Sequence, residues 1–234
     1  MSESIRVVIA SGPPASGKTA VMTQLIKRGL KAGAKIAACK IDCLKTRDGE
    51  RYARLGIPAV IGLSEDVCPD HFLAVNLEEM TAWGMRCGAD ILIIETAGLC
   101  HRCAPATKKT VSVCVLDCAS HIAVPEKIGP ALSTCDIAVI SKSDMVSQAE
   151  TEVFIYAIRK LNRAAEIVEV NGLTGTGAHS LMALIGQTEP IRGIAGDELR
   201  HSMPSAICSY CVGEQRIGND YQQGIVKKME FPDV

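Results

Sequence analysis

Ser11-Gly12-Pro13-Pro14-Ala15-Ser16-Gly17-Lys18-Thr19 lies between an apolar run at 5–10 (IRVVIA) and a helical pattern at about 18–31. From Gly12 onward it fits G-x-x-x-x-G-K-(S/T) without a gap, in the strand–loop–helix setting that gives this motif its meaning. Gly12 and Gly17 let backbone N–H groups curl around phosphate oxygens. Lys18 can reach the β- and γ-phosphates, Thr19 offers a hydroxyl to Mg²⁺, and the following helix points its positive end at the anion. The expected nucleotide-binding set here is Gly12, Pro13, Pro14, Ala15, Ser16, Gly17, Lys18, Thr19 and Ala20. A chance Gly/Pro turn would lack that strand before it and that helix after it.

Outward from this loop, strands and helices alternate. Strands are expected at 5–10, 34–41, 57–63, 91–94, 110–116, 136–140 and 165–170, and helices at 18–31, 76–87, 150–162 and 179–185. Such alternation predicts an α/β fold of the P-loop NTPase class, with a mostly parallel sheet covered by helices on both faces. After Glu189-Pro190 the pattern breaks down. The expected organisation is one nucleotide-binding domain at 1–189 and a small cysteine-containing C-terminal tail at 190–234.

Composition narrows the partners. The chain has 234 residues and a net charge of −1, which offers no basic face for nucleic acid or an anionic membrane. No apolar run approaches the roughly 20 residues of a membrane span. The first four residues (MSES) lack the form of a secretory signal, so a soluble, cytoplasmic protein is expected. Aromatics are sparse, with Trp83 the single tryptophan, which argues against a base-stacking surface. Eleven cysteines are the oddity. Where thiols are kept reduced, paired cysteines point to metal or redox chemistry rather than disulfides.

A triphosphate site needs an acid near Mg²⁺ at a strand end. Glu95 in ILIIETAG (91–98) and Asp42 after the second strand are the candidates, each otherwise readable as a capping carboxylate. Lys18, Asp42 and Glu95 form the expected catalytic set, and Thr19, Asp42 and Glu95 the expected Mg²⁺ set. Gly98 is where backbone could approach a γ-phosphate and shift on hydrolysis. Ser141-Lys142-Ser143-Asp144, at the end of a strand, has the form of the guanine-reading element usually written Asn-Lys-x-Asp. Asp144 would accept from guanine N1–H and the exocyclic amine, and Lys142 would lie along the base. Serine for asparagine removes one support, which leaves ATP open beside GTP. Asn171 and Gly172 sit where a loop would close over the base.

Thiolate and imidazole suit Ni²⁺ or Zn²⁺. Cys68 and His71 fall in a proline-containing segment (VCPDH, 67–71), expected as a mobile loop; a buried thiol and an unrelated histidine are the alternative. Cys100 and Cys103 form a C-x-x-C two residues beyond Gly98, so a metal held there would move with the γ-phosphate; a structural or redox pair is the alternative. Cys208 and Cys211 form a second pair in the tail. Together the two pairs could hold tetrahedral Zn²⁺ or an iron–sulfur cluster. Cys39 and Cys43 are weaker candidates. Cys87, Cys114, Cys118 and Cys135 fall in apolar stretches and read as core.

These pieces together resemble the G3E-type metallochaperone GTPases, namely the hydrogenase nickel-incorporation and urease accessory types. The segment 42–56 (DCLKTRDGERYARLG) resembles the hydrogenase type. The segment 67–71 is similar to the urease type's Cys-Pro-His with one residue inserted. The segment 115–144 (VLDCASHIAVPEKIGPALSTCDIAVISKSD) is similar to the urease type's run into the base-reading loop. Cys103-Ala104-Pro105 comes close to a Cys-Pro of the hydrogenase type. The resemblance covers about 5–188. It implies a nucleotide-dependent homodimer that uses GTP and Mg²⁺, holds nickel or another transition metal between subunits and delivers it to a client apo-metalloenzyme. Three departures stand out: no histidine-rich N-terminal store, Ser141 for asparagine, and a tail CSYC without a counterpart. The two C-x-x-C pairs keep a second function in view, a P-loop ATPase that carries or inserts an iron–sulfur cluster or reduces a partner. No sequence element supplies the lid that a small-molecule kinase would need.

Overall fold

The computed structural model describes residues 2–44, 48–98, 103–201 and 213–233, with only the backbone of 48–50. Seven parallel strands form one sheet in the order β3-β2-β4-β1-β5-β6-β7. They are β1 (Arg6–Ser11), β2 (Ile36–Asp42), β3 (Ala59–Leu63), β4 (Ile91–Glu95), β5 (Val111–Asp117), β6 (Ile137–Ser141) and β7 (Glu166–Val170). The helices are α1 (Lys18–Lys31), α2 (Asp48–Ala53), α3 (Pro69–Arg86), α4 (Val124–Lys127), α5 (Pro130–Ser133), α6 (Gln148–Leu161) and α7 (Ala178–Gly186).

Burial on both faces explains why the strands read as continuous apolar runs rather than alternating ones. In β1 the side chains still sort by parity. Val7 and Ile9 join Ala37, Cys39, Leu92 and Ile94 under α3. Val8 and Ala10 join Ala38 and Ile93 against Val21, Leu25 and Ile26 of α1. A third cluster packs α6, through Phe154 and Ile158, on Cys114, Leu116, Ala138 and Ile140. β1 is central, with β4 on one side and β5 on the other. The chain moves outward from β1 in both directions, so the crevice at its C-terminal end is a topological switch point, where open parallel sheets hold ligands.

Three expectations shift. The polar stretch after Asp42 carries a short helix, α2. Two further short helices, α4 and α5, bridge β5 and β6. The expected helix at 76–87 begins instead at Pro69, because proline at the first helical position has its φ already set and needs no donor. That correction relocates two expected metal ligands, Cys68 and His71.

The described part of 190–233 packs on the α3 face: Ile194, Leu199 and Ile217 are buried in the same cluster as Phe72 and Trp83. It is fastened by polar contacts as well. The Arg200 guanidinium is bidentate to Asp136 at 2.7 and 2.8 Å. It also donates to Thr110 O at 2.6 Å and Thr107 O at 2.8 Å. Among the described residues, no helix is long and apolar enough to cross a membrane.

Candidate nucleotide site and cysteine cleft

The phosphate loop leaves β1 through a backbone that only glycine tolerates. Gly12 has φ +134°, and a Cβ there would lie 2.2 Å from Val115 O. Gly98 has φ +77°, and its Cβ would lie 2.0 Å from Gly12 O. The segment after β4 therefore rests directly on the phosphate loop, backbone against backbone. Gly17, in a left-handed conformation, caps α1, whose first turn carries no acid to compete with an anion. The Ser16 hydroxyl is buried without a hydrogen-bond partner among the described residues, a donor available to a ligand oxygen.

Lys18 folds back over the loop and donates to Gly12 O at 2.9 Å and Pro13 O at 2.8 Å. Burial lowers its pKa to about 8; the Glu95 charge opposes that shift and the Lys40 charge adds to it. Glu95 is 1% exposed and fully engaged. Its Oε1 accepts from Thr19 Oγ1 at 2.7 Å and from Lys40 Nζ at 2.7 Å. Its Oε2 accepts from the Tyr52 hydroxyl. Asp42 ends β2, accepts from Cys43 N at 2.9 Å, and lines the same cavity of about 370 Å³ as Lys18, Thr19, Lys40, Arg51 and Glu95. The Thr19 hydroxyl and the Asp42 carboxylate are hard oxygen donors of the kind Mg²⁺ takes and fit that ion. Glu95, expected as a ligand, instead has both oxygens occupied by Thr19, Lys40 and Tyr52 and stands behind Thr19.

On the other side of the loop, Ser141 at the end of β6 donates to Ser16 O at 2.6 Å. The serine thus supports the phosphate loop directly. Lys142, with φ +58°, bonds Asp117 Oδ2 at 2.6 Å and Ala15 O at 3.1 Å, fixing its stem across the cavity mouth. Asp144 follows in a 3₁₀ turn and is exposed. The Asn171 side-chain oxygen accepts from Leu173 N and Thr174 N, both at 2.9 Å, so its role is to shape its own turn. Gln24 of α1 ties that turn down by donating to Gly172 O at 3.0 Å and Leu173 O at 2.9 Å. Gly17, Ala20, Ser141, Asp144, Asn171 and Leu173 line a mainly apolar cavity of about 210 Å³, with one carboxylate at its rim. Size, apolar walls and a single acceptor end suit a purine.

The expected transition-metal ligands divide. His71 is not on a mobile loop: it sits in the first turn of α3, with no solvent exposure. Its Nε2 lies 2.9 Å from Ile225 O and its Nδ1 lies 3.3 Å from Glu214 Oε1. That placement makes it an anchor for the C-terminal segment. Cys68 is the N-cap of the same helix and half-buried. Cys103 is 3% exposed, yet it lines a narrow cleft shared with Gly12, Gly98 and Asp70. Cys100, Cys208 and Cys211 lie outside the described residues. Among the described residues, no three His, Cys, Asp or Glu side chains gather as a metal site. Cys114, Cys118 and Cys135 are buried as core, and burial pushes the Cys135 thiol up to about 12. Cys39 is also fully buried, its thiol raised well above the usual range by burial.

Sequence reasoning passed over Lys40, Tyr52, Gln24 and Asp117. Lys40 did leave a signal, a charge inside a run that otherwise reads as buried strand. Asp117 left one too, an acid at a strand end like Asp42. Tyr52 and Gln24 left none, because their partners are distant in sequence.

A family model described as "CobW/HypB/UreG, nucleotide-binding domain" matches residues 6–169. An uncharacterized protein of Methanocaldococcus jannaschii is 46% identical over 226 residues, 97% of each chain. The urease accessory protein UreG of Edwardsiella ictaluri is 28% identical over 199 residues, 79% of this chain and 94% of that protein. Among solved structures, HypB from Helicobacter pylori in complex with nickel aligns with a TM-score of 0.65 at 20% identity, covering 79% of this chain and 87% of that one. The hydrogenase maturation factor HypB from Archaeoglobus fulgidus aligns with a TM-score of 0.63 at 23% identity, over 78% and 89% of the two chains. At those identities the structural likeness is one of fold.

Proposed function

The chain belongs to the CobW/HypB/UreG family of nucleotide-binding domains, and on that premise we propose that it is a GTP-hydrolysing metallochaperone. It takes a transition metal, nickel or zinc, on cysteine ligands and hands it to an apo-metalloenzyme when the nucleotide changes state. The reading rests on one observation: Cys103 shares a narrow cleft with Gly12 and Gly98. Gly98, the backbone placed to feel a γ-phosphate, and Cys103, the second thiol of the pair with Cys100, belong to one short stretch of chain. A change at the phosphate can therefore reach Cys103 through the cleft it shares with Gly98.

Guanine is favoured because Asp144 offers acceptors, and no donor, at the rim of the purine-sized cavity. Lys18 neutralises phosphate charge, and Thr19 and Asp42 would hold Mg²⁺, which when bound stabilises charge developing on the transferred phosphoryl group. Glu95, occupied on both oxygens, accepts from the Thr19 hydroxyl and would fix its orientation. A homodimer would let cysteines of two chains complete a four-ligand site. Cys68, Cys208 and Cys211 are the further donors in this scheme.

Elemental analysis of anaerobically purified protein, loaded with GTP or with GDP, tests it. Nickel or zinc should be retained with one nucleotide and released with the other, and Cys100→Ala with Cys103→Ala should abolish retention without changing nucleotide affinity. Metal binding that survives both substitutions sinks the switch-linked site. Brown protein with stoichiometric iron and sulfide would instead identify a cluster as the cargo.

A further inference from the structure

The Lys40 side chain has no place in the metallochaperone scheme, yet it is 5% exposed and aimed at the phosphate cavity. A buried lysine is costly unless paired, and a chain with a balanced surface does not place one mid-sheet by default. Lys40 and Glu95 are register partners on the neighbouring parallel strands β2 and β4. Their pairing needs no loop and no swing; it is set by the sheet. The ammonium meets the same oxygen, Oε1, that accepts the Thr19 hydroxyl, both at 2.7 Å. The other oxygen is taken by Tyr52 from α2. Glu95 is thereby pinned from two elements, and its Thr19-facing oxygen is the one pinned by charge.

We propose that Lys40 is a positioning residue for the divalent-cation step: it holds Glu95 Oε1 on the Thr19 hydroxyl and so presets Thr19 as a Mg²⁺ ligand. This rests on the nucleotide-site reading above and adds the partner of Glu95 to it. Outer partners that orient a metal ligand are commonly worth about 10–100-fold in metal affinity or activity. The effect of Lys40 should therefore appear in the response to Mg²⁺. It should be smaller in nucleotide affinity measured without the ion.

The test compares wild type with Lys40→Met, which keeps the stem and removes the charge, Lys40→Arg, which keeps the charge, and Tyr52→Phe, which spares Oε1. Binding of a fluorescent GTP analogue is measured in EDTA and in Mg²⁺, and hydrolysis is measured across a Mg²⁺ titration. Lys40→Met takes a cation from the wall of the phosphate cavity and should weaken the analogue in EDTA by a few-fold, while its loss in Mg²⁺ is larger and the Mg²⁺ concentration for half-maximal hydrolysis rises by about tenfold. Lys40→Arg should recover most of that shift, and Tyr52→Phe should show a smaller one. An unshifted Mg²⁺ curve for Lys40→Met overturns the proposal. So does an equal loss of analogue binding with and without the ion, which would make Lys40 a phosphate contact or a purely structural charge. Should Lys40→Met fail to fold, Lys40→Gln takes its place in the same titration with the same two readings. Wild-type protein that binds no triphosphate would sink the nucleotide-site reading; a Mg²⁺ curve unmoved by the substitution sinks this inference alone.

Discussion

Three single residues give the proposed nucleotide chemistry its sharpest checks. Asp144 stands at the rim of the purine-sized cavity with only acceptors to offer. Asp144→Asn replaces one acceptor by a donor, which keeps an acceptor for N1–H but sets a donor against the guanine amine and matches the 2-carbonyl of xanthine. Hydrogen bonds to a charged partner are worth about 1.5–3 kcal/mol each, so GTP affinity should fall on the order of 100-fold and xanthosine triphosphate affinity should rise. Competition binding with both nucleotides checks this; unchanged GTP affinity would remove Asp144 from the base site. Lys18 sets a pH dependence. Its pKa, lowered to about 8 chiefly by burial, is raised again when a triphosphate supplies negative charge. Binding therefore takes up a proton once the free protein has begun to lose it. Affinity is full below about pH 8 and declines as pH rises beyond it. Calorimetry at about pH 8.5 in two buffers of different ionisation heat should show the uptake, and at about pH 6.5 it should vanish. Gly98 is the third. A Cβ there would meet Gly12 O at 2.0 Å and Lys18 Nζ at 2.6 Å. Gly98→Ala should force the segment after β4 away from the phosphate loop and displace Lys18, lowering kcat by roughly tenfold or more and weakening nucleotide binding with it.

At the scale of elements, α3 shows both what the sequence discloses and what it withholds. The phosphate loop, α1 and the strands are legible because glycine spacing and continuous apolar runs are local signals. The front half of α3 is not. Its residues Asp70, His71 and Asn76 are polar, and all three are buried. Such a segment reads as loop until the chain that covers it is known. Here the cover is the C-terminal segment, and Lys227 stands 151 residues beyond Asn76. Asn76 donates to Phe72 O at 2.8 Å and Lys227 O at 2.9 Å, and accepts from Met229 N at 2.8 Å. His71 reaches Ile225 O, and Phe231 lies against Trp83 with ring centroids 5.9 Å apart. Nothing in the local pattern marks a histidine as an anchor rather than a ligand; only its distant partners do. Asn76→Ala strands a carbonyl and an amide in a buried place, which costs about 2–4 kcal/mol. Hydrogen exchange should then quicken at 225–231 and in the first turns of α3, with β6 and β7 unaffected. Equal loss across the sheet would mean that Asn76 supports the core and not the C-terminal segment.

For the whole molecule, the strand order decides where everything lands. All seven strands run parallel, so their C-terminal ends share one edge, and that edge carries Gly12 after β1, Asp42 on β2, Glu95 on β4, Asp117 on β5 and Ser141 on β6. A ligand in the crevice touches several strands at once, although each strand contributes a residue or two. Nucleotide binding is therefore linked to the stability of the native state. Free ligand at about 100 times its Kd adds about 2.7 kcal/mol to a state that binds it. In a chain of this length, each kcal/mol moves Tm by about 2–4 °C. Saturating GTP with Mg²⁺ should accordingly raise Tm by about 5–10 °C. The ordering of ligands is as informative as the size. ATP at the same concentration should give a small fraction of the shift, because it presents a donor and an acceptor to Asp144 in the wrong places. EDTA should cut the GTP shift, because the Asp42 carboxylate then faces phosphate without an intervening cation. Equal shifts for ATP and GTP would put the base-reading assignment in error while leaving the phosphate loop intact. A GTP shift indifferent to EDTA would instead detach the acidic edge from nucleotide binding, and with it the role given to Lys40.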